Sequence, residues 1–127
     1  MLLELEQLSK SFKSGPGRVQ AVDGVSLTVD TTEFVAIQGP SGCGKSTLLL
    51  MAGGLLSPDS GQVLIEGTNP YRLSSDQRAR FRSQHLGFVF QQFHLVPYLN
   101  VLDNVLTPAL ASNRSQARER ARALIKQ

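Results

Sequence analysis

Apolar and polar positions alternate from the start of the chain. Leu3 and Leu5 stand against Glu4 and Glu6, which predicts a strand with one wet face. After the turn Ser14-Gly15-Pro16-Gly17, Val19 to Val22 predict a second strand. Val25, Leu27 and Val29 then alternate with Ser26 and Thr28 and predict a third. Phe34-Val35-Ala36-Ile37 is continuously apolar instead, the pattern of a strand buried on both faces of a parallel sheet. Beyond a glycine-rich loop, Leu48, Leu49, Ala52 and Leu55 recur at helical spacing, and Gly53-Gly54 offers the left-handed conformations that close a helix. Pro58-Asp59-Ser60-Gly61 turns into a short strand, Val63-Leu64-Ile65. Ser74 and Gln77 have capping-box spacing and predict a polar helix through about Ser83. Leu86 to Phe90 predict another apolar strand. Asn100 is placed to cap a helix from Val101 to about Ala111, and Ser115 another running to the end.

This order predicts an α/β domain with an antiparallel, β-rich N-terminal portion. There is no internal repeat and no low-complexity tract. Few strands follow to complete a sheet, so the expectation is a longer domain cut short.

At 127 residues, 41% of them hydrophobic, the chain can bury the modest core of one domain. Its net charge of +3 is unevenly placed. The cations cluster late, as Arg78, Arg80 and Arg82 and then Arg114, Arg118, Arg120, Arg122 and Lys126. Arg114, Arg118 and Arg122 share one helix face, read as a solvated face rather than a polyanion site. A single cysteine excludes an internal disulfide framework and any multi-cysteine metal site, and fits a reduced, intracellular setting. The first six residues carry neither a basic region nor a long apolar run, so they do not read as a signal peptide. No stretch approaches the roughly 20 apolar residues of a membrane span, and any membrane role is expected through a partner.

Gly39-Pro40-Ser41-Gly42-Cys43-Gly44-Lys45-Ser46-Thr47 carries the sharpest chemistry. Gly39, Gly44, Lys45 and Ser46 complete the phosphate-loop pattern, and the loop lies between an apolar strand and a helix, as that pattern requires. Glycines let the chain wrap phosphate oxygens without Cβ clashes. The helix that follows turns its free N–H groups and about half a positive charge toward the anion. Lys45 is expected on the β- and γ-phosphates and the Ser46 hydroxyl on Mg²⁺, with Mg-ATP as the ligand. Cys43 is read as a small residue that fits; a thiol lowered in pKa at the helix start, and so redox-sensitive, is the alternative.

The flanking residues narrow the choice. Leu8-Ser9-Lys10-Ser11-Phe12, Val25-Ser26-Leu27, the loop with Leu48-Leu49, then Gly53, Leu55, Pro58, Gly61, Ile65 and Gly67, and Leu86-Gly87-Phe88-Val89-Phe90-Gln91 together resemble the ATP-binding subunit of ABC transporters. Gly87 to Phe93, then Leu95, Pro97 and Asn104-Val105, are most similar to the lipoprotein-release and macrolide-export group. The resemblance implies a P-loop NTPase fold of the ABC ATPase type, with residues 1–127 the N-terminal part of one such domain. It implies that Phe12 stacks on adenine and that Val22 packs beside the base or ribose. Gln91 would be the Q-loop glutamine, contacting Mg²⁺ and the γ-phosphate and relaying nucleotide state to a membrane permease subunit. It further implies a second ATPase subunit, an export direction, and a peripheral place on the inner face of the cytoplasmic membrane. Without the resemblance Phe12 reads as a core aromatic and Gln91 as a strand-end polar residue. His85 and His94 match no catalytic position and are read as surface or packing residues. Thr32 stands where the family usually has glycine, a difference that a modest turn adjustment should absorb.

Absences matter equally. The Leu-Ser-Gly-Gly-Gln signature is nowhere in the 127 residues, and the second acidic strand with its water-activating Glu and the switch histidine are missing too. The expectation is a chain ending before those motifs, which binds nucleotide weakly and hydrolyses it negligibly by itself. The other readings are a catalytically inactive nucleotide-binding fragment and a soluble ABC-type ATPase acting on nucleic acid; the stretch Gln91 to Val105 favours transport, and no nucleic-acid partner is expected.

Overall fold

The computed structural model describes residues 1–111 and 116–126. Two long strands, β1 (Leu3–Ser14) and β2 (Gly17–Val29), form an antiparallel ribbon, with β3 (Ser60–Ile65) on the other side of β1. The helices are α1 (Lys45–Ala52), α2 (Ser75–His85), α3 (Val101–Leu106) and α4 (Ala117–Ile125), with short 3₁₀ turns at Pro70–Arg72 and Thr107–Ala111. The chain divides into two compact units, Met1–Ala79 and Arg80–Gln127.

The two predicted strands around Asp23 are one strand. β2 continues through Gly24, whose φ of +58° accompanies a break in register, and whose N–H donates to the Ser9 hydroxyl at 2.9 Å. Such a bulge bends a ribbon without ending it. β3 leaves through Glu66-Gly67, both at positive φ, while Ile65 and Thr68 exchange hydrogen bonds of 2.9 Å across the turn. That is a two-residue type I′ turn, for which a glycine is favoured.

The core of the first unit lies between the sheet and α1. Leu5, Leu8, Val22, Leu48, Met51, Val63 and Ile65 are buried there. The Tyr71 hydroxyl lies 2.6 Å from the carbonyl oxygens of both Met51 and Leu56, which fastens the C-terminal end of α1. Of the glycine pair after α1, Gly54 takes the left-handed turn (φ +69°), while Gly53 stays at φ −87°.

Two expected strands do not form. Phe34–Ile37 follows no ladder, and Phe34 is 90% exposed rather than buried on both faces. Leu86 to Phe90 is likewise irregular; Phe88 and Phe90 stack on one another while Val89 is fully exposed. A central parallel strand exists only through its neighbours' hydrogen bonds. Neither segment has such a neighbour among the described residues.

The helices of the second half follow their local signals. Ser74 and Gln77 make both bonds of a capping box, Ser74 N–H to Gln77 Oε1 at 3.1 Å and Gln77 N–H to Ser74 Oγ at 3.4 Å. The Asn100 side chain accepts from the Asp103 N–H at 2.9 Å and caps α3. The region predicted as one helix to Ala111 is α-helical only to Leu106 and 3₁₀ beyond. The expected cap at Ser115 and the face position of Arg114 lie outside the described residues; α4 itself starts after Gln116.

Candidate functional site

The glycine loop of the first unit ends at Gly44, which precedes α1 with φ +92°. That dihedral disfavours any side chain, and a second constraint is independent of it. A Cβ at Gly44 would lie 1.9 Å from the Ala21 carbonyl oxygen of β2. The loop therefore rests directly on strand backbone. Gly42 also has positive φ (+79°), yet a Cβ there would meet nothing within 4 Å. A Cβ at Gly39 would approach the Cys43 sulfur to 2.8 Å.

The first backbone bond of α1 runs from Leu48 N–H to the Gly44 carbonyl at 2.9 Å. The N–H groups of Lys45, Ser46 and Thr47 thus precede the helical ladder and remain available to an anion. The Lys45 ammonium folds back over the loop. It donates to the Gly39 carbonyl at 2.8 Å and the Pro40 carbonyl at 2.7 Å, with the exposed Cys43 sulfur 3.6 Å away.

Beside this loop is an open cleft of about 210 Å³, lined by Ala21, Val22, Asp23, Val25, Ile37, Gln38, Cys43, Gly44, Lys45 and Leu48. Val22 and the loop residues Cys43, Gly44 and Lys45 thus line one cleft. Phe12 sits across from Val19 on the ribbon, 42% exposed, and outside the cleft lining. Gln91 belongs to the second unit, exposed in the irregular stretch after Phe90. His85 stacks on Phe81 and His94 meets the edge of Phe90, so both histidines pack against aromatic rings. Among the described residues no cluster of metal-ligating side chains is preassembled. Ser46, expected to meet a metal, would do so as a single hydroxyl beside the phosphates rather than as part of a cage.

The residue that sequence reasoning missed is Asp59, read there only as part of a turn. Its carboxylate receives the Lys10 ammonium at 2.7 Å and the Ser11 N–H at 2.8 Å, while Arg18 lies 3.8 Å away. The Lys10 hydrogen bond first, and the Ser11 backbone N–H next, hold its pKa down at about 2 against an ordinary 3.8. This exposed knot joins the β1–β2 ribbon to the segment entering β3. Thr32 also departs from expectation. The turn does not adjust to it; Thr32 keeps φ +69°, with Glu33 N–H bonded to the Asp30 carbonyl at 3.2 Å. A β-branched residue at positive φ is strained.

Comparisons with known proteins bear on the family and the fold. The family model described as ABC transporter matches residues 22–127. The lipoprotein-releasing system ATP-binding protein LolD of Bordetella avium (strain 197N) is 46% identical over 125 residues, 97% of this chain and 54% of that protein. The macrolide export ATP-binding/permease protein MacB of Burkholderia pseudomallei (strain K96243) is 44% identical over 123 residues, 97% of this chain and 19% of that protein. Among solved structures, a dimeric post-hydrolysis state of the ATP-binding cassette MJ0796 bound to ADP and Pi superposes with a TM-score of 0.90 at 37% identity, over 98% of this chain and 56% of that one. The chain thus spans about half the length of the LolD relatives and a fifth of MacB.

Proposed function

The chain belongs to the ABC transporter family of ATP-binding proteins, and from that premise we propose that it forms the nucleotide-binding part of an export-type transport ATPase. One observation carries the reading. Gly44, seated on the Ala21 carbonyl, sets the free N–H groups of α1 and the Lys45 ammonium on the same cleft as Val22. That is a cradle for phosphates with an apolar wall beside it.

Each residue then has a part in binding Mg-ATP. Gly39, Pro40, Ser41, Gly42, Cys43 and Gly44 shape the loop, and the N–H groups of Lys45, Ser46 and Thr47 donate to phosphate oxygens. Lys45, now on the Gly39 and Pro40 carbonyls, would hold the β- and γ-phosphates, and the Ser46 hydroxyl would hold Mg²⁺. Val22 borders the sugar or base. Phe12, on the exposed face of the ribbon, offers a ring for adenine to stack on. Gln91, in the second unit, would be the residue that responds to the γ-phosphate and its metal. Bound Mg²⁺ would offset the negative charge of the phosphates.

The named roles of LolD and MacB, lipoprotein release and macrolide export, support transport over action on nucleic acid. Among the described residues no helix is long and apolar enough to cross a membrane. A permease subunit supplies the transport path, a second ATPase subunit completes the nucleotide sandwich, and the site of action is the inner face of the cytoplasmic membrane. With no Leu-Ser-Gly-Gly-Gln stretch among these 127 residues, the chain alone binds nucleotide without steady turnover. Equilibrium binding of ATP with Mg²⁺ to the chain and to Lys45→Ala tests the reading. We expect at least about a tenfold loss of affinity, since a charge-assisted contact contributes roughly 1.5–3 kcal/mol. Equal binding by both proteins would refute it.

A further inference from the structure

Charge is divided between the two units. Residues 1–79 carry six Lys/Arg against eight Asp/Glu, whereas residues 80–127 carry seven against two. Much of that excess is on α4. Arg118 and Arg122 stand four residues apart, and Lys126 follows by the same step, so the three cations form one row along the helix. All three are exposed. The ion pairs Met1–Asp30, Lys10–Asp59 and Arg18–Asp59 do not draw on α4.

The same helix has an apolar side. Ala121 is buried, and Leu124 and Ile125, which flank its direction on the helical wheel, are each about half exposed. Ile125 falls between the buried direction and the cationic row. A row of exposed cations bordered by exposed aliphatic side chains suits an anionic lipid surface, where long basic side chains reach headgroups while aliphatic ones lie at their base. A nucleic acid would use the cations but not the aliphatic border.

We propose that α4 makes direct electrostatic contact with anionic lipid headgroups through Arg118, Arg122 and Lys126, in addition to any contact made through a permease. The helix has nine residues and lies along the surface without crossing it. The attachment is weak and salt-sensitive, because headgroup charges act over a Debye length of roughly 10 Å at 0.1 M salt.

The test is co-sedimentation of the 127-residue chain with vesicles of phosphatidylcholine alone or mixed with phosphatidylglycerol. We expect binding to the anionic vesicles only, weakened by salt. The triple variant Arg118→Gln/Arg122→Gln/Lys126→Gln should partition about a hundredfold less, the three cations each contributing about a factor of five near such a surface. ATP binding and the far-ultraviolet circular dichroism of the variant should match the parent, which separates this result from failure of the nucleotide reading or of folding. Equal sedimentation with both vesicle types, or undiminished binding by the variant, would overturn the proposal. Salt-sensitive capture of duplex DNA without vesicle binding would overturn it as well, in favour of nucleic acid.

Discussion

Gly42 and Gly44 share a left-handed backbone but differ in surroundings, and substitution should separate the two causes. Alanine at Gly42 meets only the dihedral cost, about 1–2 kcal/mol, because the space around it is open. Alanine at Gly44 would also drive a methyl group into the Ala21 carbonyl. We therefore expect Gly42→Ala to lower the melting temperature by several degrees and Gly44→Ala to prevent a cooperative transition, both read by thermal denaturation. Thr32 gives the opposite sign. Relief of its positive φ should let Thr32→Gly gain roughly 0.5–1 kcal/mol, even after the extra chain entropy of glycine. Asp59 supplies a pH dependence. Its folded pKa is depressed, so its stabilising effect is present above the unfolded value of 3.8 and is lost as pH falls through about 2. Denaturation midpoints of the parent and Asp59→Asn should differ above pH 4 and converge near pH 2.

Asn104 organises a whole segment at the scale of elements. Its side-chain amide donates to the carbonyls of Val96, Leu99 and Asn100, and its oxygen accepts from the Val96 N–H at 2.8 Å. Replacing it by alanine should speed amide exchange across residues 96–104 while leaving β1 and β2 unchanged, as hydrogen-exchange mass spectrometry would show. The caps at Ser74 and Asn100 were readable in the sequence because each depends on residues within one helical turn. The sequence did not make Phe34–Ile37 or Leu86–Phe90 readable, since an apolar run becomes a strand only beside another strand. The fusion of Val19–Val22 with Val25–Val29 was hidden for a similar reason. Gly24 looks like a break along the chain, but the Ser9 hydroxyl across the ribbon supports it as a bulge. Val22 and the loop were legible together only through the family pattern, because nothing local in residues 17–29 announces the Gly44–Ala21 approach. Asp59 was missed because its partners Lys10 and Ser11 are about fifty residues away in the chain.

Taken whole, the chain exposes much apolar surface for its size. Phe34, Val89, Phe93, Leu95, Tyr98 and Leu110 are all largely exposed, and the first of these begins an irregular, unladdered run. Surfaces of this kind associate. The isolated 127 residues should show concentration-dependent light scattering, and Val35→Lys should reduce it by placing a charge within the apolar run Phe34–Ile37. An unchanged scattering profile would assign the association to another surface.

The seating of Gly44 on Ala21 also has a mechanical consequence. At Gly44 the loop meets the Ala21 carbonyl before it meets the Val22 side chain, so its nearest support is the backbone of β2 itself. A ligand that tightens the loop must therefore stiffen the ribbon below it, and a ribbon that breathes must loosen the loop. Binding and ribbon rigidity are then two readings of one equilibrium. Nucleotide should slow amide exchange at Ala21 and Val22, on a strand that belongs to the floor of the site rather than to its grip.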